Sequence, residues 1–338
     1  MMMNTREPVP LHLAPMEGVS DLAFRLLARE CGADLTITEF TSSTALSRGS
    51  VRAWSKMASD PREHPFIPQI FGGEQEEMVA ATKMLCEQSD AGCIDINFGC
   101  PAPKVCRSSA GAAMLADPDR LVALVDACIA VSSVPVSVKL RLGTGMGEHT
   151  ALEVATRLED AGVVRLCVHG RTLAQGYRGR ADWSSIARIV DAVSIPVIAN
   201  GDVVDADSTL RCLEVTGAAG VMIGRGAIGN PQIFSSIKQR LGWPVEEPPW
   251  IREDGERWRM ADELQRSFIM RHWTLRRYVA LAEEIGSIPQ RALKRHAVSF
   301  TKHLPGGSRA RGSLQGVNDA HDVARRVSEW LGEQAQVA

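Results

Sequence analysis

Eight short apolar runs, at residues 11–16, 35–40, 66–71, 93–99, 134–142, 163–169, 195–200 and 221–224, recur roughly every 25 to 40 residues along this chain. Amphipathic stretches at 74–87, 119–131, 152–161 and 206–215 lie between them. A near-continuous apolar run followed by a helical stretch is the pattern of parallel strands buried on both faces and joined by crossover helices. Eight such units predict an α/β fold closed as a (β/α)8 TIM barrel. A doubly wound open sheet is the weaker alternative, because the count is eight and helices follow throughout. The second unit is the least regular, and residues 41–65 predict a long loop.

The cadence stops near Leu241. The segment Trp243-Pro244-Val245-Glu246-Glu247-Pro248-Pro249-Trp250 cannot continue a helix and predicts a linker. Residues 258–278 and 290–303 regain helical character. Pro305-Gly306-Gly307 marks a turn before a last helix ending near residue 331. The expected organisation is a barrel domain over 1–242 and a small all-helical domain over 251–338.

The formal net charge of −2 hides an asymmetry. The first 240 residues carry 23 basic and 27 acidic side chains, whereas residues 257–311 carry twelve Lys or Arg against four acids, a net +8. Basic helical stretches are often only solvated faces, but a basic module behind an acidic one is what a tail that meets a polyanion looks like. At 45% hydrophobic and 23% charged residues, the composition is that of a globular chain. Nowhere do about 18 apolar residues run together, and the first ten residues hold Arg6 but no apolar export segment. A cytoplasmic protein without membrane contact is expected. The eight cysteines (31, 86, 93, 100, 106, 128, 167 and 212) include no CxxC pair, which suits reduced thiols rather than disulfides. Neither Cys nor His shows zinc-site spacing, so no metal is expected. Nothing in the sequence signals assembly, and a monomer is the starting expectation.

A barrel places its chemistry at strand C-termini, and polar residues gather there. The first run ends Pro15-Met16-Glu17-Gly18, the third carries Gln69, the fourth delivers Asn97 and Cys100, and the fifth holds Lys139 with Arg141. The sixth ends His169-Gly170-Arg171, the seventh Asn200-Gly201-Asp202 and the eighth Gly224-Arg225-Gly226. A free Cys is usually a small buried hydrophobe. In Asn97-Phe98-Gly99-Cys100-Pro101, however, a Gly and a Pro turn the chain just as a strand ends, which predicts a working thiol. Lys139 stands in the apolar run Val136-Ser137-Val138-Lys139-Leu140, where an ammonium is costly to bury without an anionic partner.

Gly224-Arg225-Gly226-Ala227-Ile228-Gly229 matches GxGxxG, but it closes the last βα unit rather than the first, which argues against a Rossmann site. Glycines after the seventh and eighth strands are where barrels bind phosphate. The expected cofactor therefore carries a phosphate on Arg225, an anionic ring end at Lys139, and hydrogen-bonding edges at Gln69 and His169. Flavin mononucleotide (FMN) meets each requirement, because a cation near N1 and O2 stabilises its reduced ring.

Several motifs now stand in order: Ala14-Pro15-Met16-Glu17-Gly18, Asn97-Phe98-Gly99-Cys100-Pro101 with Lys104-Val105, Ala110-Gly111-Ala112, Val168-His169-Gly170-Arg171-Thr172, Asn200-Gly201-Asp202 and Gly224-Arg225-Gly226. Together they resemble the tRNA-dihydrouridine synthases. The likeness runs over residues 11–240 and continues more weakly through Lys294-Arg295-His296 and Leu304-Pro305-Gly306. The resemblance implies an FMN barrel with a helical tRNA-binding domain, NADPH as reductant, and reduction of a uridine C5–C6 double bond. It implies Cys100 as the general acid at uracil C5 and Asn97 as the group that orients the base. Pro15, Met16, Glu17, Gln69, Lys139, His169, Asn200, Gly201, Asp202, Gly224 and Arg225 match the family's flavin contacts.

Tyr177 and Arg178 match a loop that touches RNA, and the basic Arg291, Lys294 and Arg295 of the tail are expected on tRNA. A uridine must leave the folded RNA to be reduced, so a phosphate-tracking surface is required, and the basic tail supplies one. Three departures stand out: Ser299-Phe300 after the basic motif, where several relatives carry an aromatic pair, and Cys106 and Ser109 near the acid loop. The front half resembles the subgroup acting at one D-loop uridine and the tail the subgroup acting at its neighbour, so the position stays open. The rivals are an FMN barrel of the dihydroorotate-dehydrogenase type, which leaves the basic tail unexplained, a tRNA-binding protein with an inactive flavin site, and a Schiff-base aldolase.

Overall fold

The computed structural model describes residues 7–145, 149–253, 255–286 and 290–336. The start of the chain with Arg6, on which the reading of an absent export segment rests, lies outside the described residues. Among the described residues, nine strands form one all-parallel sheet: β1 (Leu11–Leu13), β2 (Leu35–Thr36), β3 (Thr41–Ser42), β4 (Gln69–Phe71), β5 (Ile94–Phe98), β6 (Val136–Arg141), β7 (Arg165–His169), β8 (Val197–Asn200) and β9 (Gly220–Ile223). Their order is β2-β1-β9-β8-β7-β6-β5-β4-β3.

The two edge strands are the two ends of one run, 35–42. β2 pairs with β1 and β3 with β4, while between them the Thr38 amide donates to the Ile67 carbonyl at 3.1 Å. The sheet therefore curls until its edges meet, giving a barrel of eight strand positions. Two separate apolar clusters follow from the period-2 alternation of each strand. Leu11, Leu13, Ile94, Ile96, Val138, Leu140, Leu166 and Val168 face the surrounding helices. Ile37, Ile67, Cys93, Cys167, Ile198 and Met222 fill the lumen.

Residues 41–65 do not form the expected loop. They hold two five-residue helices, Ser43–Ser47 and Val51–Ser55, and a 3-10 turn, Pro61–Glu63. Single turns capped by Ser50 and Asp60 are too short to leave an amphipathic period. The linker likewise contains a short helix, Pro249–Glu253, because Pro is tolerated in a first helical turn. Residues 258–278 are not one helix either. Asp262 caps a new one in a reciprocal box with Gln265 (2.7 and 2.9 Å), separating Gly255–Met260 from Glu263–Glu284. Helix Gln290–Phe300 stops three residues short of 303, and the last helix, Ala320–Gln336, runs beyond 331 after a short turn of helix at Gly307–Gly312.

These C-terminal helices sit on the rim of the barrel formed by helix Leu22–Glu30 and the loop before it. Tyr278 donates to Asp21 at 3.0 Å, Arg277 to Glu30 at 2.8 Å, and the His296 ring stacks on Phe24 with centroids 4.3 Å apart. Phe24, Tyr278 and Phe300 are fully buried, each stabilising the arrangement by roughly 1.5–3 kcal/mol. The last glycine of the GxGxxG segment belongs to this packing. Gly229 has φ +68°, and a Cβ there would lie 2.5 Å from the Ser299 carbonyl carbon. Only glycine fits where the eighth loop meets helix Gln290–Phe300. Among the described residues, no helix is long and apolar enough to cross a membrane.

Candidate active site

The C-terminal ends of the strands open into a cavity of about 1200 Å3 that is roofed on one side by the C-terminal helices. Pro15, Met16 and Glu17 line it from the first loop, Asn97 and Cys100 from the end of β5, and Lys139 and Arg141 from β6. His169, Asn200, Gly201, Asp202, Gly224 and Arg225 complete the strand-end ring, with Tyr177 from the loop after β7. Cys100 and Lys139 thus share one mouth.

The Cys100 loop is shaped by Asn97, whose Oδ1 accepts the backbone N–H groups of Gly99 (3.0 Å) and Cys100 (2.9 Å). Asn97 Nδ2 in turn donates to Gln69 Oε1 at 2.8 Å. Gln69 is fully buried behind Asn97 and does not itself line the cavity. Cys100 is 6% exposed and packs against Val105 and Ala110 while lining the cavity. Burial pushes its thiol above the ordinary value, so it stays protonated at neutral pH.

Lys139 is 8% exposed, and its Nζ donates to Asn200 Oδ1 at 3.2 Å. Asn200 is aimed this way because its Nδ2 donates to the Met222 carbonyl at 2.8 Å. Burial lowers the Lys139 pKa, and the carboxylate of Asp95, deeper in the lumen, works in the opposite direction. Among the described residues no carboxylate forms an ion pair with Lys139. His169 is driven far below its ordinary value by burial and then by Lys139, Arg141, Arg171 and Arg225, so it is neutral. Arg171 Nη1 can only donate to His169 Nε2, 3.3 Å away, which places the ring proton on Nδ1.

Arg171, to which the sequence motif assigns no role, is fully buried. It grips both oxygens of Asp202 at 2.7 Å and donates to the Gly179 carbonyl at 2.7 Å. Asp202 feels a burial that alone would raise its pKa, yet the hydrogen bonds from Arg171 and the Ala181 amide hold it below the carboxylate range. Arg225 is half exposed, reaches Asp202 at 3.3 Å, and lies 5.0 Å over the Tyr177 ring, with Arg141 at 5.5 Å from the same ring. Arg178 is exposed and donates to the Ala174 carbonyl at 2.8 Å.

The tail cations divide. Lys294 donates to the Val317 carbonyl at 2.6 Å, and Arg295 to the carbonyls of Glu17 (2.9 Å) and Gly18 (3.0 Å), so both hold the structure together. Arg291 is exposed. Arg271, Lys302 and His303, by contrast, reach the active-site cavity. Arg271 donates to the carbonyls of Phe300 (3.0 Å) and Lys302 (2.7 Å), which fixes the turn that ends helix Gln290–Phe300. Charge counting flagged this stretch as basic, but no local signal told which of its cations turn back towards the barrel. Among the described residues, no three His, Cys, Asp or Glu side chains gather to hold a metal ion.

Residues 12–329 match the family profile described as Dihydrouridine synthase (Dus). The chain belongs to the dihydrouridine synthase family. It is 34% identical to the tRNA-dihydrouridine synthase B of Pseudomonas putida over 96% of this chain and 92% of that one. It is 42% identical to a probable tRNA-dihydrouridine synthase of Rhodobacter capsulatus over 69% of this chain and 72% of that one. A solved complex of 2-naphthoyl-CoA reductase with 2-naphthoyl-CoA aligns with a TM-score of 0.53 at 10% identity, covering 69% of this chain and 50% of that chain, and shares the fold alone. Membership of the dihydrouridine synthases thus extends over both the barrel and the helices behind it.

Proposed function

We propose that this chain is a cytoplasmic, FMN-dependent, NADPH-driven tRNA-dihydrouridine synthase that reduces the C5–C6 double bond of a D-loop uridine. In this reading residues 1–242 form the FMN-binding catalytic domain and 251–338 the tRNA-binding domain. The observation that carries it is the pairing, within one cavity, of a buried amine hydrogen-bonded to an amide, Lys139, with a buried protonated thiol, Cys100. The donor set fits a flavin. Among the described residues Lys139 has no carboxylate ion-pair partner, which suits an anionic ring edge. Gly201, at φ +121°, has no room for a Cβ, which would lie 2.8 Å from Ala181 Cβ and 3.1 Å from the His169 ring, so the loop backbone itself packs against His169. Lys139, His169 and Asn200 would hold the ring, and Arg225 beside Gly224 the phosphate, with Pro15 and Met16 along its edge.

When bound and reduced by NADPH, FMN supplies hydride for uracil C6. Cys100 Sγ donates the proton to C5 as enolate-like charge builds on the base, and burial keeps that proton in place at neutral pH. Asn97 sets the height of the Cys100 loop, and the Nδ2 hydrogen not given to Gln69 would be its donor to the base. Tyr177 lines the cavity with the Arg141 and Arg225 guanidinium groups over its ring, which puts an aromatic side chain and two cations together at the mouth an extruded nucleotide would enter.

Mapping dihydrouridine in tRNA from cells lacking the protein, before and after adding the purified enzyme with NADPH, tests the reading. Restoration at one D-loop position is expected; oxidation of free dihydroorotate with tRNA untouched would overturn it. The cavity-facing turn makes a narrower prediction. Replacing Lys302 by Ala should weaken tRNA binding and reduce the slope of log affinity against log salt by about one, the signature of one lost phosphate contact. A salt titration with an unchanged slope would take Lys302 off the RNA path.

A further inference from the structure

We propose that Asp95, a lumen residue that does not line the cavity, is a positioning residue that fixes the orientation of the Cys100 loop through Gln69 and Asn97. The proposal rests on the reading of this site as a uridine-reducing centre. Asp95 is 1% exposed in the middle of β5. Its Oδ2 accepts from Gln69 Nε2 at 2.6 Å and its Oδ1 from Ser137 Oγ at 2.6 Å. Gln69 Oε1 accepts from Asn97 Nδ2 at 2.8 Å, and Asn97 Oδ1 accepts the amides of Gly99 and Cys100.

Each link in this chain has one permitted direction. Backbone N–H groups only donate, so Asn97 must turn its oxygen to the loop and its nitrogen to Gln69. Gln69 must then present its oxygen to Asn97 and its nitrogen to whatever lies beyond. Only an acceptor can close the series, and Asp95 Oδ2 supplies it; burial raises the Asp95 pKa, while the hydrogen bonds from Ser137 and Gln69, made to the carboxylate, work against that rise. Without that acceptor, a flip of the Gln69 amide would place N–H against N–H at Asn97 and free the loop that aims the thiol. All four side chains are buried, so water cannot repair the mismatch cheaply.

The test uses the full FMN-loaded protein and three single variants, Asp95→Ala, Asp95→Asn and Gln69→Met. Asp95→Ala should lower the rate of flavin oxidation by saturating tRNA on the order of 10²-fold, the cost of a reacting group displaced by about an ångström. Asp95→Asn, whose Oδ1 still accepts from Gln69 while its Nδ2 donates to Ser137, should recover most of that rate. Loss of the negative charge near Lys139 is read separately, as FMN content. In flavin-free protein, Cys100 should be alkylated by iodoacetamide faster in Asp95→Ala than in wild type or Asp95→Asn.

The double variant Asp95→Ala/Gln69→Met should lose no more than the worse single one, because both break the same chain. Additive losses, or equal alkylation rates in all forms, would overturn the proposal. Should Asp95→Ala fail to fold, a loss in Asp95→Asn as large as that of Gln69→Met would overturn it as well, since the acceptor is then still present. Wild-type protein that makes no dihydrouridine ends the functional reading itself; active wild type with an unaffected Asp95→Ala ends only this inference.

Discussion

Cys100→Ala is expected to slow uridine reduction by roughly 10²- to 10⁴-fold, the range a positioned proton donor contributes, while tRNA binding and flavin content persist. The alanine removes only the acid. Cys100 is anchored by its amide, which donates to Asn97 Oδ1, and by its carbonyl, which accepts the Ala112 amide at 3.1 Å, and both bonds are independent of the thiol. Single-turnover oxidation of the reduced flavin by tRNA is the measurement, and unchanged turnover would remove Cys100 from the mechanism. The pH profile gives an independent check. Burial raises the thiol pKa, so the acid form is fully present through neutral pH and is lost only as pH rises past the elevated value. Wild-type single-turnover rate should therefore fall on the alkaline side, and that fall should vanish in the slow residual reaction of Cys100→Ala.

Arg25→Met is expected to destabilise the chain by about 3–5 kcal/mol, the usual cost of removing one partner from a buried ion pair. Arg25 and Glu63 are each 2% exposed and joined by two bonds, Nε to Oε2 at 2.7 Å and Nη2 to Oε1 at 2.9 Å. The guanidinium also donates to the carbonyls of Ser20 (3.1 Å) and Ala58 (2.8 Å). Methionine would leave the Glu63 carboxylate in the core with, among the described residues, the Thr36 hydroxyl at 3.3 Å as its remaining side-chain partner. Replacing Glu63 by Leu in the same molecule should restore much of the loss, because an apolar pair of similar volume needs no desolvation. Chemical denaturation compares the three proteins, and a single-variant loss below about 1 kcal/mol would show that the pair contributes little. The consequence reaches function, since Arg25 anchors the helix on which Tyr278 and His296 seat the tail.

The barrel was legible because its signal is local. Each strand of a parallel sheet is covered on both faces, so it reads as an apolar run, and eight such runs with helices between them admit few topologies. The same rule marked the strand ends, where Asn97, Cys100, Lys139, His169, Asn200 and Arg225 converge on one cavity. The short turns of residues 43–63 leave no trace in the sequence pattern because five residues are too few to show a period. The break at Asp262 is hidden in the sequence for another reason. Asp and Gln three residues apart is a capping signal, but it sits inside a stretch whose helical character continues on both sides.

Composition and order of residues thus determined on their own the fold, the family motifs, and which strand ends carry polar groups. Folding in three dimensions decided the rest. It turned Gln69 away from the cavity to bridge Asn97 and Asp95, placed Arg171 between His169 and Asp202, and brought Lys302 and His303 back over a barrel mouth whose first strand lies some 290 residues earlier. Periodicity reports which face a side chain occupies. It carries nothing about the direction of a hydrogen bond or about contacts between distant segments, which exist only once the sheet has closed and the C-terminal helices have settled on its rim.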